Sequence, residues 1–136
     1  DEASGWFDRG GGDVHSIHNY FYPLRIRPNV RTVALSEYGG IAWPMPGHEP
    51  PHKTYGYGTA KSREELTARY KKLQLGTVLP QLQKGLSALV YTQLTDVEDE
   101  VNGLFTYDRT AIKPDAAAVR AVNEALEVEF EKAVKE

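Results

Sequence analysis

At 136 residues, with 40% apolar residues, 26% charged residues and a net charge of −3, the chain has the make-up of one soluble globular domain with a core of ordinary size. No Lys/Arg run supplies the basic stripe that a nucleic-acid partner requires, and no apolar window approaches the ~18 residues of a membrane span. Cysteine is absent, which excludes disulfides, thiolate metal sites and a cysteine nucleophile.

Residues 1–60 hold most of the Gly, Pro, His and aromatic residues, whereas residues 61–136 are regular, with helical periodicity interrupted by one strand. Gly10–Gly12 predict a flexible turn, Asp13–Tyr20 a short strand and Phe21–Asn29, with two prolines, a loop. Val30–Glu37 is the second predicted strand, and a period of two puts Val33 and Leu35 on the same side as Glu37. A long irregular loop follows from Tyr38 to Lys61; loops of this length are commonly functional.

Ser62 opens a helix, with Glu65 at the capping-box spacing and Leu66, Tyr70, Leu73 and Thr77 on one face. Pro80 ends, kinks or restarts that helix, and Lys84-Gly85 stops it. Leu86–Thr92 is a third buried strand and Gln93–Arg109 a polar, acidic loop. Pro114-Asp115 starts a last helix to about Lys135, with Ala118, Val122, Ala125, Val128 or Glu129, and Ala133 spaced for packing. The order strand, strand, long loop, helix, strand, loop, helix predicts an α/β fold with parallel strands. Three strands alone leave two open edges, so the chain reads as part of something larger.

Glu37 is the leading candidate for chemistry. An apolar, β-branched run ends in this one carboxylate, and Gly39-Gly40 beyond it admit close approach by ligand or backbone. The plain alternative is a solvated carboxylate, or one paired with Arg31 or Arg109. His18 and Tyr20 share a face near the end of the first strand and could present an imidazole and a phenol to the same cavity. The alternative for them is a half-buried aromatic pair under the loop. His15, His18, His48 and His52 lack metal-ligand spacing, because His15 and His18 point to opposite faces of a strand and the other two sit in a proline-rich loop. Trp6, Trp43, Tyr55 and Tyr57 are loop aromatics suited to stacking on sugar rings or to core packing. The acidic run Asp96, Glu98, Asp99 and Glu100 reads as a solvated loop, one member of which could bind a sugar hydroxyl. Ser36 lacks the Gly-x-Ser-x-Gly elbow of serine hydrolases.

Taken together, SGWFDRGGGDVHSIHNY, ALSEYGGIAWPMPGH, GLSALVYTQLTDVEDEVNGLFTYDR and IKPD resemble the C-terminal part of the catalytic barrel of glycoside hydrolase family two, the group of β-galactosidases, β-glucuronidases and β-mannosidases. The resemblance runs from about Ala3 to Pro114, with the motifs in order. It implies a partial TIM (β/α)8 barrel spanning residues 1–136, with Ser4-Gly5-Trp6 following barrel strand five and the three predicted strands as six, seven and eight. By the same resemblance Glu37 is the nucleophile, Tyr20 orients it and His18 lines the sugar pocket. Trp6 is a further substrate-binding residue, and Tyr91, Gln93 and Asp96 match the rim after strand eight. The family's acid/base, an Asn-Glu pair on strand four, has no counterpart here. The expected function is therefore that of a piece of a retaining exo-β-glycosidase, inactive alone. Its implied partners are a β-glycoside and the remainder of the barrel, with no cofactor or metal, and the lone piece is expected to self-associate. The alternative is a non-catalytic carbohydrate-binding or assembly module on the same scaffold.

Overall fold

The computed structural model describes residues 5–50 and 53–135. Three strands, β1 (Val14–Asn19), β2 (Thr32–Gly39) and β3 (Leu86–Thr92), form one parallel sheet in the order β1-β2-β3. Helices α1 (Arg63–Leu73), α2 (Leu79–Leu82) and α3 (Ala116–Lys135) complete a mixed α/β fold. The first two strands sit close to their predicted bounds, and the third matches them.

Ser62 caps α1 as the sequence predicts, its Oγ accepting from Glu65 N–H at 3.2 Å. The return bond lands one residue early: Glu65 Oε2 accepts from Lys61 N–H at 2.9 Å. Pro80 neither breaks nor ends the helical path. It has no N–H to offer the carbonyl four residues back, and a π-helical turn over Gln74–Val78 joins α1 to α2 around it. Gly85, with φ +95°, ends the path in the left-handed region. In α3, Asp115 Oδ1 caps the Ala118 N–H at 2.9 Å, and Val122 and Leu126 are the buried residues. Of the two candidates for the packing stripe, Glu129 lies along it and Val128 is exposed.

Leu35 and Val33 of β2 meet Val78, Leu82, Leu86 and Leu126 in the main core on the helix side of the sheet. Leu35 is 1% exposed; burial of such a side chain contributes about 1.5–3 kcal/mol. Two buried glutamines serve the same face. Gln74 Nε2 donates to the Tyr38 hydroxyl at 2.9 Å, and Gln81 Oε1 accepts from the Ile26 N–H at 3.0 Å. A second, smaller core of Ile41, Trp43, Ala60 and Leu66 lies under the long loop.

The sequence expectation for Glu37 is corrected at one point. Ile17 pairs with Leu35 but His18 pairs with Glu37, so Ser36 is an extra residue, and β2 gains a residue on β3 between the same positions. This β-bulge breaks the period of two. Tyr38 joins Leu35 in the helix-side core, and Glu37 turns to the opposite face, toward His18 and Tyr20. Ser36 Oγ–H donates to the Ile17 carbonyl at 3.2 Å, which leaves Ser16 as the donor in the short Ser16–Ser36 hydroxyl contact of 2.5 Å.

Asp96, expected at a sugar-binding rim, is instead buried. Lys113 Nζ bonds both of its carboxylate oxygens, at 2.8 and 3.0 Å, and also the Val101 carbonyl at 2.8 Å. The two side chains are 0% and 3% exposed, and Asp96 also takes the Gly103 N–H at 2.7 Å. Burial pushes the Asp96 carboxyl up and the Lys113 ammonium down, against their mutual attraction. The desolvation cost of a buried ion pair can exceed its Coulombic gain. Removing one partner is costly all the same: Lys113→Met should lower unfolding free energy in urea by about 3–5 kcal/mol. Adding Asp96→Asn should recover part of the loss, because the amide oxygen still serves Gly103 N–H. A single-variant loss below about 1 kcal/mol would contradict this account.

Candidate active site

The C-terminal edge of the sheet gathers Trp6, His18, Tyr20, Glu37, Tyr57 and Thr92 from five separate segments. Glu37 stands at the centre, with its side chain 47% exposed. The Tyr20 hydroxyl donates to Glu37 Oε2 at 3.2 Å and lies 2.7 Å from Thr92 Oγ1. A phenol has one proton, so Thr92 donates to Tyr20 and Tyr20 to the carboxylate. Burial first, then the Glu37 charge, push the Tyr20 phenol well above the usual tyrosine range, although the Thr92 bond opposes them. His18 Nδ1 is buried 3.3 Å from the same Oε2, at an angle outside hydrogen-bond range. Among the described residues no hydrogen bond reaches Oε1 of Glu37, so that oxygen stays open to a ligand.

Backbone geometry brings the aromatic wall together. Gly5 runs beside β1, its carbonyl accepting from the His18 N–H at 2.9 Å. A Cβ on Gly5 would lie 2.1 Å from the His18 ring. Trp6 then meets His18 edge-on, with ring centres 5.6 Å apart, and tilts toward Tyr20 at 6.4 Å. Gly40, with φ +59°, donates to the Thr92 carbonyl and accepts from the Tyr57 N–H, both at 2.8 Å. That link swings the long loop back so that Tyr57 stacks on Tyr20 at 3.8 Å and 11°. A Cβ on Gly40 would meet the Tyr57 ring at 2.4 Å.

Of the residues singled out in the sequence, Glu37, Tyr20, His18 and Trp6 come together. Tyr91 does not. Its ring packs against Tyr38 and Tyr70, at 5.5 and 5.2 Å, on the helix side of the sheet. Its parity follows Tyr38, its partner across the strands, rather than Glu37. Gln93 is tied into the loop, its Nε2 donating to Asn102 Oδ1 at 2.6 Å and Glu100 Oε2 at 3.2 Å. Asp96 is held by Lys113, as above. Trp43 is buried in the smaller core, whereas Tyr55 is half exposed and meets Tyr57 edge-on at 5.5 Å.

Arg31 bonds Asp8 and the Gly11 carbonyl. Its guanidinium is the main cause that holds the Asp8 carboxyl down at about 2. His15 lies beside Asp8 and Asn29, and His48 beside Asp108, while His52 lies outside the described residues. Among the described residues no group of three or more His, Cys, Asp or Glu side chains is arranged to hold a metal ion. Thr92 and the Tyr57 stack are the members that sequence reading missed. The Gly39-Gly40 pair was the one local signal that the loop turns back over the strand ends.

No family model matches the chain, and no curated protein sequence matches it.

Two phenols give the site and its support a measurable pH signature. Burial pushes Tyr38 up to about 12. Burial, then Tyr55 and the Glu100 and Glu37 charges, push Tyr57 up to about 12. Both lie above the ordinary phenol value near 10, so the fold favours the protonated form and its contribution is complete below about pH 10. It is lost as pH rises through about 12. Phenolate absorbance should therefore lag in the folded protein relative to the urea-unfolded chain, and the urea midpoint should fall across that window. Superimposable titrations of the two states would contradict the assignment.

Proposed function

We propose that the chain is the C-terminal part of the (β/α)8 catalytic barrel of a family-two glycoside hydrolase, a retaining exo-β-glycosidase with Glu37 as its nucleophile. The observation that carries this reading is Glu37 itself: a carboxylate at the C-terminal edge of the central strand of a parallel sheet, held through one oxygen and open at the other. Chemistry in barrel enzymes sits at that edge. The sequential order of parallel strands, with Gly5-Trp6 lying beside β1, supports the same reading.

In this mechanism Oε1 of Glu37 attacks the anomeric carbon, and the bond to the leaving oxygen breaks as a second carboxyl group protonates it. A covalent glycosyl–enzyme forms, and water activated by that second group then releases the sugar with net retention. Tyr20 fixes Oε2, so the attacking oxygen has a set direction. Its raised phenol stays a donor across the working pH range. Trp6 offers an apolar face to the sugar ring beside His18. The second carboxyl comes from barrel strands outside this chain; Asp96, engaged by Lys113, is unsuited to the role.

The purified chain should leave nitrophenyl β-glycosides intact. Co-folded with the strands that carry the Asn-Glu pair, it should turn them over. A 2-fluoro glycosyl fluoride should then add mass to the peptide containing Glu37, and Glu37→Gln should lower kcat at least a thousandfold. Turnover by the chain alone, or label on any other residue, would overturn the proposal.

Separation from its partner strands should also drive self-association. The exposed apolar residues Val90 on β3, Leu94 just beyond it, and Val128 and Val134 on α3 are among the surfaces available for it. Sedimentation velocity should show dimers or larger species rising with concentration. A monomer throughout would count against a partial barrel.

A further inference from the structure

The connection from β1 to β2 contains no helix. It crosses the helix side of the sheet as an irregular single chain, with Leu24 and Ile26 sunk into the core and Ile26 N–H held by Gln81. A single irregular chain is thinner than a helix, so the crossover leaves room beside it. The result is a cleft of about 350 Å³ between the sheet and the α1–α2 path. Its floor is apolar, formed by Leu24, Leu35, Leu73 and Val78. Arg69 and Lys72 also line it, spaced three residues apart on α1, and the stacked Tyr20 and Tyr57 close the end nearest the strand tips.

Charge at this cleft is one-sided. Among the described residues no Asp or Glu lines it. Arg69 lies 3.7 Å from Glu65, a partly exposed neighbour one turn back on the same helix. Lys72 adds a second positive charge to the same wall. An apolar floor with surplus positive charge along one wall is complementary to an amphipathic anion, and the volume lies in the range of small-molecule sites.

We infer that this cleft is a binding site for a small carboxylate with an apolar body, aryl or short-chain alkyl. The carboxylate sits against Arg69 and Lys72, where a guanidinium can bond both oxygens, and the body lies on the leucine and valine floor. The site lies on the helix side of the sheet, meets the surroundings of Glu37 only at Tyr20 and Tyr57, and does not depend on the glycosidase reading.

Calorimetric titration with 2-naphthoate tests it. The chain should bind one equivalent saturably, with affinity falling as salt rises. The neutral isostere 2-naphthylmethanol should bind at least tenfold more weakly, and Arg69→Gln/Lys72→Gln should weaken naphthoate at least tenfold. Lys72 is exposed and Arg69 partly exposed, and unchanged far-UV dichroism verifies the fold. Thr77→Phe, which fills the cleft from the π-helical turn, should abolish binding. Absent binding, equal affinity for the alcohol, or an unaffected double variant would each overturn the assignment.

Discussion

One extra residue in the central strand decides which way this molecule faces. Without Ser36 as a bulge, the alternation of β2 would put Glu37 beside Leu35, in a core lined by Val78 and Leu82. A carboxylate there would need a partner or a proton. With the bulge, Tyr38 takes the inward position, where Gln74 satisfies its hydroxyl, and Glu37 emerges on the open face. Two serine hydroxyls and the Ile17 carbonyl fix the irregularity in place. The site geometry and the core packing therefore depend on the same local departure from regular pairing.

The surrounding loops hold their shape by different means. Gly40 joins the start of the long loop to the end of β3 and to Tyr57 through its own backbone groups, so the aromatic stack over Tyr20 is set by main-chain bonds. Beneath the acidic loop, Lys113 gathers Asp96 and the Val101 carbonyl, and Asp96 takes up the Gly103 N–H. Tyr55 then pairs with Asp99 and Val101 across the two loops. A chain of contacts thus runs from a buried ammonium to the aromatic wall beside Glu37, although the two lie on different connections.

Local chemistry was legible in the sequence; register was not. The three strands, the Ser62 cap, the Gly85 stop and the Asp115 start follow from short-range patterns that the structure keeps. Glu37, Tyr20 and His18 could be placed together because they stand at the ends of two strands, His18 and Tyr20 at the end of the first and Glu37 near the end of the second. The face of Glu37 could not be read, since a bulge arises from pairing with neighbours rather than from the strand's own residues. Tyr91 was misplaced for a related reason: its side follows Tyr38 across the sheet, beyond the same bulge. The burial of Asp96 was hidden because its partner lies in a different part of the chain and an acidic run ordinarily reads as solvated. The partnership of Tyr57 with Tyr20 spans a loop whose path is set by one glycine.

The short, helix-free link between the first two strands bears on how the molecule comes together. Residues 20–31 separate β1 from β2, whereas residues 40–85, a segment roughly fourfold longer, separate β2 from β3. Closing the longer segment costs about 1 kcal/mol more in chain entropy. The order of encounter thus favours His18 finding Glu37 before Thr92 arrives to complete the relay through Tyr20. The acidic group is born into a half-formed cradle, and its last neighbour comes from the far end of the sequence.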